Sequence, residues 1–277
     1  MDGSYSYNEL ARLLQMAGAE EARDTAALLL EHICGATHTE LLTDRDRLWQ
    51  GDGLEEAVAR CLKRYPVQYV LGYWDFYGCR FKVSEHCLIP RPDTEVLVEE
   101  AIRKIPHGAS VLEIGTGSGC VAIALLRARP DLTVTAMEKF PDTLALAVEN
   151  AERNGVSDRF VPLLADVRTA MADGVGFEHA PYGAIVSNPP YIPHDVIATL
   201  EPELAYEPEA ALDGGEDGLD FYRVMLEEYR SLLDKDGFFL FEIGYDQAQA
   251  VADLAQGAVR VIRDLGGKDR VLDIRVS

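Results

Sequence analysis

The sequence predicts an α/β chain: a doubly wound, mostly parallel sheet preceded by a small helical domain and a linking β-hairpin. Three observations predict it. From Ala109 onward, β-type apolar runs alternate with helical stretches. Before Pro66 the periodicity is helical throughout. A glycine-rich loop, Gly115-Thr116-Gly117-Ser118-Gly119, stands between the first of those strands and the helix after it. The expected boundaries are 1–65 for the helical domain, 66–92 for the hairpin linker and 93–277 for the sheet domain.

In the first part, Tyr7, Leu10, Leu13 and Leu14 form a stripe at helical spacing. A second helix runs from Ala19 through His32 and ends near Gly35, and Leu54 to Lys63 forms another. Thr43-Asp44 could cap a short turn between them. After Pro66, the aromatic and β-branched residues on either side of Gly78 read as a hairpin. Leu88-Ile-Pro-Arg-Pro-Asp-Thr-Glu95 is rigid, and Asp93 or Thr94 is placed to cap the helix that follows. The alternation then gives strands at 110–114, 132–138, 160–166, 182–187 and 237–243, and helices at 119–129, 143–154, 219–233 and 247–254. Two last strands are expected at 258–263 and 270–276.

Composition narrows the function class. With 277 residues, 48% of them apolar, the chain can build one large core and one small one. No run approaches the roughly 18 consecutive apolar residues of a membrane helix. The first residues, Met1-Asp-Gly-Ser-Tyr-Ser-Tyr, lack the layout of a signal peptide. The five cysteines, Cys34, Cys61, Cys79, Cys87 and Cys120, form no C-x-x-C pair and fit a reducing cytoplasm. Twenty-six basic against 47 acidic residues leave a net charge of −21, against the trend of nucleic-acid binders. The stretch Ile192 to Tyr222 holds nine acidic residues and no Lys or Arg. It is either a solvated surface or a rim that repels phosphate and attracts a basic protein.

Glycines after a strand let the backbone turn tightly and approach a ligand closely, so the loop is either a nucleotide-type site or a structural turn. Glu138 sharpens the first reading: it ends the second strand about twenty residues on, where a carboxylate accepts from ribose hydroxyls. The loop lacks both the dinucleotide glycine spacing and the Lys-Ser/Thr of a P-loop, which suits a ribose-bearing cofactor without phosphates. Asp166 ends the third strand, where it meets an adenine amino group or simply makes a turn. Glu113, at the end of an apolar strand, needs a partner such as the loop amides or a cationic ligand.

Asn188-Pro189-Pro190-Tyr191 closes the apolar run Ala184-Ile-Val186. The prolines remove two backbone donors and hold extended geometry, presenting their carbonyls outward. A planar –NH2 can then give one hydrogen to Asn188 and the other to the Pro189 carbonyl, with Tyr191 as a wall. Asn188, Pro189 and Tyr191 are therefore the expected catalytic residues and Asn188 to Tyr191 the substrate contacts. Together with the loop, the motif points to methyl transfer from S-adenosylmethionine onto an amide-type nitrogen. The six histidines show no spacing for a metal or a triad, and His194 reads as surface loop.

These residues resemble a class I S-adenosylmethionine-dependent methyltransferase, with its Rossmann-like methyltransferase sheet. More closely, the chain is similar to the release factor glutamine N5-methyltransferases, the PrmC/HemK family. The resemblance runs through residues 66–72, 76–83, Leu88 to Glu95, the glycine loop, Ser187 to Ile192, Glu207 to Tyr222 and Gly267 to Arg270. It implies methylation of the glutamine in the Gly-Gly-Gln loop of class 1 peptide chain release factors, in translation termination. It also implies cofactor contacts from Gly115 to Gly119, Glu138, Val167 and Asn188, and a helical N-terminal domain that docks the release factor. Glu138 replaces a frequent Asp of the family, and Val167 stands where relatives can carry an aromatic residue. No nucleic-acid partner, no membrane association and a cytoplasmic monomer are expected. Two rivals remain: a nucleic-acid aminomethyltransferase, whose exocyclic amine would fit the same trap, and a nonenzymatic cofactor-binding scaffold.

Overall fold

The computed structural model describes residues 3–275. The chain divides into two units, one of residues 1–73 with 201–206 and one of 74–200 with 207–277.

In the first unit a two-residue strand, β1 (Tyr5–Ser6), precedes α1 (Tyr7–Met16) and α2 (Ala22–Cys34). The Ser6 hydroxyl accepts from Glu9 N and caps α1. Gly35, in the left-handed region, closes α2 as expected. Helix α3 (His38–Thr43) was not anticipated, although its capping box was visible: Thr37 and Glu40 bond each other's backbone N–H groups. Thr43-Asp44 therefore ends a helix rather than starting a turn. Strand β2 (Leu48–Trp49) pairs with β1, and α4 (Leu54–Cys61) and α5 (Val67–Leu71) follow. Leu10, Leu14, Leu29, Leu30 and Leu54 are fully buried together, each contributing roughly 1.5–3 kcal/mol.

The second unit holds all but the first residue of the hairpin of β3 (Tyr73–Phe76) and β4 (Cys79–Lys82), whose turn residues Tyr77 and Gly78 both have positive φ. The hairpin is shorter than expected because 67–71 is helical. A 3-10 turn over Pro92–Thr94 leads into α6 (Glu95–Lys104). The large sheet and its helices follow in order: β5 (Ser110–Ile114), α7 (Cys120–Ala128), β6 (Thr133–Glu138), α8 (Pro141–Arg153), β7 (Phe160–Leu164) and β8 (Tyr182–Ser187). Then come α9 (His194–Ile197), α10 (Asp220–Glu228), β9 (Leu233–Glu242), α11 (Ala248–Ala255), β10 (Ala258–Arg263) and β11 (Asp269–Arg275). The expected end of the last strand, Val276, lies outside the described residues.

The sheet order is β10-β11-β9-β8-β5-β6-β7, parallel from β9 to β7 and antiparallel at β11 and β10. Alternate side chains cover opposite faces, the mark of a doubly wound sheet. Val111, Val134, Ala184 and Leu240 pack with α6, α7 and α8, whereas Leu112, Met137, Ile185 and Phe239 pack with α10 and α11. Helix α7 is apolar nearly all round, with Val121 to Leu126 all buried. Cys61, Cys79 and Cys87 are buried, Cys34 and Cys120 half-buried, and all five are free thiols. Among the described residues, no helix is long and apolar enough to cross a membrane.

Gly119, the residue before α7, has φ +82°, and a Cβ there would lie 2.8 Å from Ile123 Cδ1 and 3.3 Å from Ala147 Cβ. It permits α7 and α8 to pack. Gly119→Ala is expected to lower unfolding free energy by about 1–3 kcal/mol in urea titration. An unchanged midpoint would show that the helix pair does not need the glycine.

Candidate active site

The carboxyl ends of the parallel strands, read across the sheet from β9 to β7, carry Glu242, Asn188, the glycine loop, Glu138 and Asp166. The chain runs from β5 outward through β6 and β7, then returns to place β8 on β5's other side, so the topology switches between β5 and β8. Such a switch leaves a crevice at the strand ends. Ser187 Oγ donates to Ile114 O at 2.7 Å across its base.

A cavity of about 300 Å³ occupies this crevice. Of the residues expected from the sequence, it is lined by Glu113, Gly115 to Ser118, Glu138, Asp166, Val167, Asn188, Pro189 and Pro190. Gly115 N and Thr116 N both donate to Met137 O, at 2.9 and 3.0 Å, tying the loop to the next strand. Gly115 and Gly117 have positive φ, and a Cβ built on either meets nothing within 4 Å. Side chains there would project into space that a ligand can use.

Glu138 Oε1 accepts from Lys139 N (2.8 Å) and Phe140 N (3.1 Å), and its Oε2 from Gly117 N (3.1 Å). The carboxylate thus organises the loop and keeps lone pairs for a hydroxyl donor. Asp166 Oδ1 accepts from Arg168 N at 2.9 Å while Oδ2 pairs with Lys139 Nζ at 3.0 Å. Burial pushes its pKa up, but these partners prevail and lower it. Val167 is a buried apolar wall, its carbonyl held by Tyr229 OH at 3.0 Å.

Glu113 is 3% exposed and bonded by the Thr116 hydroxyl. Burial pushes its pKa up to about 8, aided by Glu138 and opposed by the bonds from Thr116 and the Ala122 backbone. A buried carboxyl of this kind, beside open glycine amides, fits a cationic, ribose-bearing cofactor.

Two expected residues stand elsewhere. Gly119 does not line the cavity, because its open side is filled by Ile123 and Ala147. Tyr191 does not line it either: its side chain is partly buried against the core under α10 and α11, and its carbonyl accepts from Gln247 Nε2 at 2.9 Å. The Tyr191 ring thus packs on the core, and the residue's backbone carbonyl ties the tetrapeptide to Gln247.

Several residues have partners that the sequence did not show. Asn150, fully buried in α8, bonds Lys82 N (2.7 Å), Lys82 O (3.0 Å) and Ser118 O (2.9 Å), joining the hairpin to the glycine loop. Glu207, inside the acidic stretch, is buried, pairs with Arg91 and accepts from Ile89 N at 3.0 Å. Thr94 does not cap α6 with its side chain, and Asp93 pairs with Arg270 at 2.9 Å instead. Gly214 packs backbone to backbone, with a Cβ 2.8 Å from Tyr191 Cα and 2.9 Å from Pro190 O. Backbone bonds Ile192 N to Leu212 O (3.0 Å) and Gly214 N to Ile192 O (2.9 Å) complete this clamp on the tetrapeptide. His194 is exposed and pairs with Asp213 at 2.9 Å.

A glycine loop, two strand-end carboxylates and an Asn-Pro-Pro edge around one crevice of a doubly wound sheet define a class I S-adenosylmethionine-dependent methyltransferase. The comparisons agree. Residues 92–213 match the family described as methyltransferase small domain, and residues 7–72 match the PrmC N-terminal domain. A methyltransferase from Pyrococcus furiosus shares the fold, with TM-score 0.52 and 19% identity over 72% of this chain and 89% of that one. The release factor glutamine methyltransferase of Geobacter sulfurreducens is 40% identical over 94% of this chain and 92% of its own length. That of Caulobacter vibrioides is 39% identical over 94% and 91%. The chain belongs to the family of release factor glutamine methyltransferases.

The raised pKa of Glu113 predicts a pH signature. The folded chain holds this proton up to about 8, against the ordinary 4.5, so the associated stability is complete below about 4.5 and is lost as pH rises through about 8. Glu113→Gln, which stays neutral, is expected to melt above the wild type by a margin that widens between about pH 4.5 and pH 8 and then levels off. Thermal scans of ligand-free protein check this, and a margin independent of pH would contradict it.

Proposed function

We propose that the chain methylates the side-chain amide nitrogen, N5, of the glutamine in the Gly-Gly-Gln motif of peptide chain release factors. The observation that carries this reading is that Asn188, Pro189 and Pro190 line the same cavity as the glycine loop and Glu138. S-adenosylmethionine supplies an electrophilic sulfonium methyl group when bound. The loop from Gly115 to Ser118 and Glu138 would hold its ribose side, Asp166 and Val167 its adenine, and Glu113, giving up its proton as the cation enters, would offset its positive charge.

The acceptor amide is a poor nucleophile because its lone pair is delocalised, so the protein's task is alignment. Asn188 Oδ1 and the Pro189 carbonyl take one amide hydrogen each and fix the plane of the group. As the new N–C bond formed, the donor's S–CH3 bond would break to leave a neutral thioether, and only then would the nitrogen turn acidic and lose its proton to solvent, so no strong base is needed. Tyr191 contributes by anchoring the tetrapeptide through its carbonyl bond to Gln247.

The names of the relatives, release factor glutamine methyltransferases over nearly the whole chain, support this acceptor. In this reading residues 1–65 form the docking domain for the release factor, 66–92 the linker and 93–277 the methyltransferase domain. The partner is a protein rather than a nucleic acid or a membrane, and the enzyme acts as a cytoplasmic monomer. A net charge of −21 favours a protein acceptor over a polyphosphate one.

Labelled methyl transfer to purified release factor, run beside bulk DNA and rRNA, tests the reading. Label is expected on the release factor alone, and to vanish when the Gly-Gly-Gln glutamine becomes alanine. Label confined to nucleic acid would move the acceptor to an exocyclic amine and overturn the proposal.

A further inference from the structure

Buried beside the acceptor edge is a carboxyl group that the mechanism above does not use. Glu242, the last residue of β9, is 2% exposed, and its Oε2 has no hydrogen-bond partner among the described residues. Parallel pairing aligns Ser187 with Phe241, so Asn188 and Glu242 emerge side by side one residue further on. Thr94 stands between them. Its hydroxyl accepts from Asn188 Nδ2 at 3.1 Å, which leaves its own proton free for the neighbouring Glu242 carboxyl, whose pKa Thr94 lowers. This explains why Thr94, at the start of α6, leaves that helix without a side-chain cap.

The direction of this chain of bonds matters. A hydroxyl has one proton, and an ionised carboxylate can only accept. Thr94 must therefore donate to Glu242 and offer its lone pair to Asn188. Asn188 can meet that lone pair only with its NH2, which turns Oδ1 away from Thr94. An amide acceptor needs the oxygen of Asn188 facing it, since an NH2 facing an NH2 gives no hydrogen bond.

We propose that Thr94 and Glu242 are positioning residues for methyl transfer, forming a one-way hydrogen-bond relay that fixes Asn188 with its amide oxygen toward the acceptor nitrogen. The relay rests on the acceptor role of Asn188 given above. The same buried carboxyl carries a pH signature. Burial pushes Glu242 up to about 7, Asp93 adds to this, and the Thr94 bond, Arg270 and Arg91 oppose it. Tyr191, Tyr222 and Cys120 are the other titratable groups within its field. Once protonated, Glu242 can donate to Thr94 and the enforced direction is lost.

The test uses the full chain with purified release factor, measuring kcat, KM and cofactor affinity for Thr94→Val, Thr94→Ser, Glu242→Gln and the double variant Thr94→Val/Glu242→Gln. Thr94→Val is expected to lose on the order of 10- to 100-fold in kcat with cofactor Kd nearly unchanged, since misplacement rather than lost binding is the defect. Thr94→Ser, which keeps the hydroxyl, should recover most of the rate. Glu242→Gln should lower kcat and abolish a rise of wild-type kcat with pH centred near 7. The double variant should be no worse than the poorer single one, as expected for residues acting through one chain of bonds. Wild-type kcat in Thr94→Val, additive losses in the double variant, or parallel losses in kcat and cofactor affinity would overturn the relay. If the wild type itself leaves release factor unmethylated, the acceptor reading falls and takes the relay with it.

Discussion

The structure depends on one topological constraint: β5 pairs in parallel with β6 on one side and β8 on the other. Because the chain leaves β5 in one direction and comes back from the other, the loops after β5 and β8 part and cannot fill the space between them. That gap becomes the cavity. The residues that carry its chemistry border it from strand ends: Glu113 near the end of β5 and the glycine loop after it, Glu138 at the end of β6, Asn188 after β8, while Pro90, Thr94, Thr143 and Phe221 close it from other elements. The side chains sit on rigid strand ends, whose positions are set by the two cores above and below the sheet. Precision at the site is thus inherited from close packing far from it.

Within the crevice, polar groups are arranged in two linked halves. On the cofactor half, Glu138 gathers three backbone N–H groups and Asn150 pins the Ser118 carbonyl. On the acceptor half, Arg91 and Glu207 brace the proline-rich segment, and the Leu212 to Gly218 loop clamps Pro190 to Ile192 from behind. The acidic stretch after the tetrapeptide also takes on a different meaning. Glu207 is buried, Glu203 pairs with Arg64, Asp213 with His194, and Asp217 and Asp220 with Arg223. Much of that charge is committed within the chain, which leaves less of it to steer a partner.

The strands and helices of the sheet domain were readable because hydrophobic periodicity and glycine placement report local geometry directly. Strands β5 and β8 fall where the apolar runs place them, with only one- or two-residue differences at β6 and β7. The lining of the cavity was readable for the same reason, since strand ends at a switch point are where ligands meet such sheets. What stayed hidden depends on partners distant in sequence. Thr94 looked like a helix cap, because nothing local shows that its hydroxyl is taken by Asn188 and lies beside the Glu242 carboxyl. For Tyr191 the motif does not reveal that its ring packs on the core under α10 and α11. Gly119 looked like part of a ligand cradle, yet its missing Cβ serves the packing of α7 on α8. Asn150 carried no pattern at all, and Glu207 stood only as one acid of a family-like block; only the fold brings their partners to them.

The most direct test of the account is a pair of measurements on Asn188→Ala: cofactor affinity by calorimetry and single-turnover methyl transfer at saturating cofactor. The account predicts that cofactor binding weakens by no more than about 10-fold while transfer falls by at least about 100-fold, because the residue's main work is aligning the acceptor amide. Transfer at the wild-type rate would contradict it. So would a loss that disappears once cofactor is saturating, which would make Asn188 a cofactor ligand and leave the acceptor without its aligning residue.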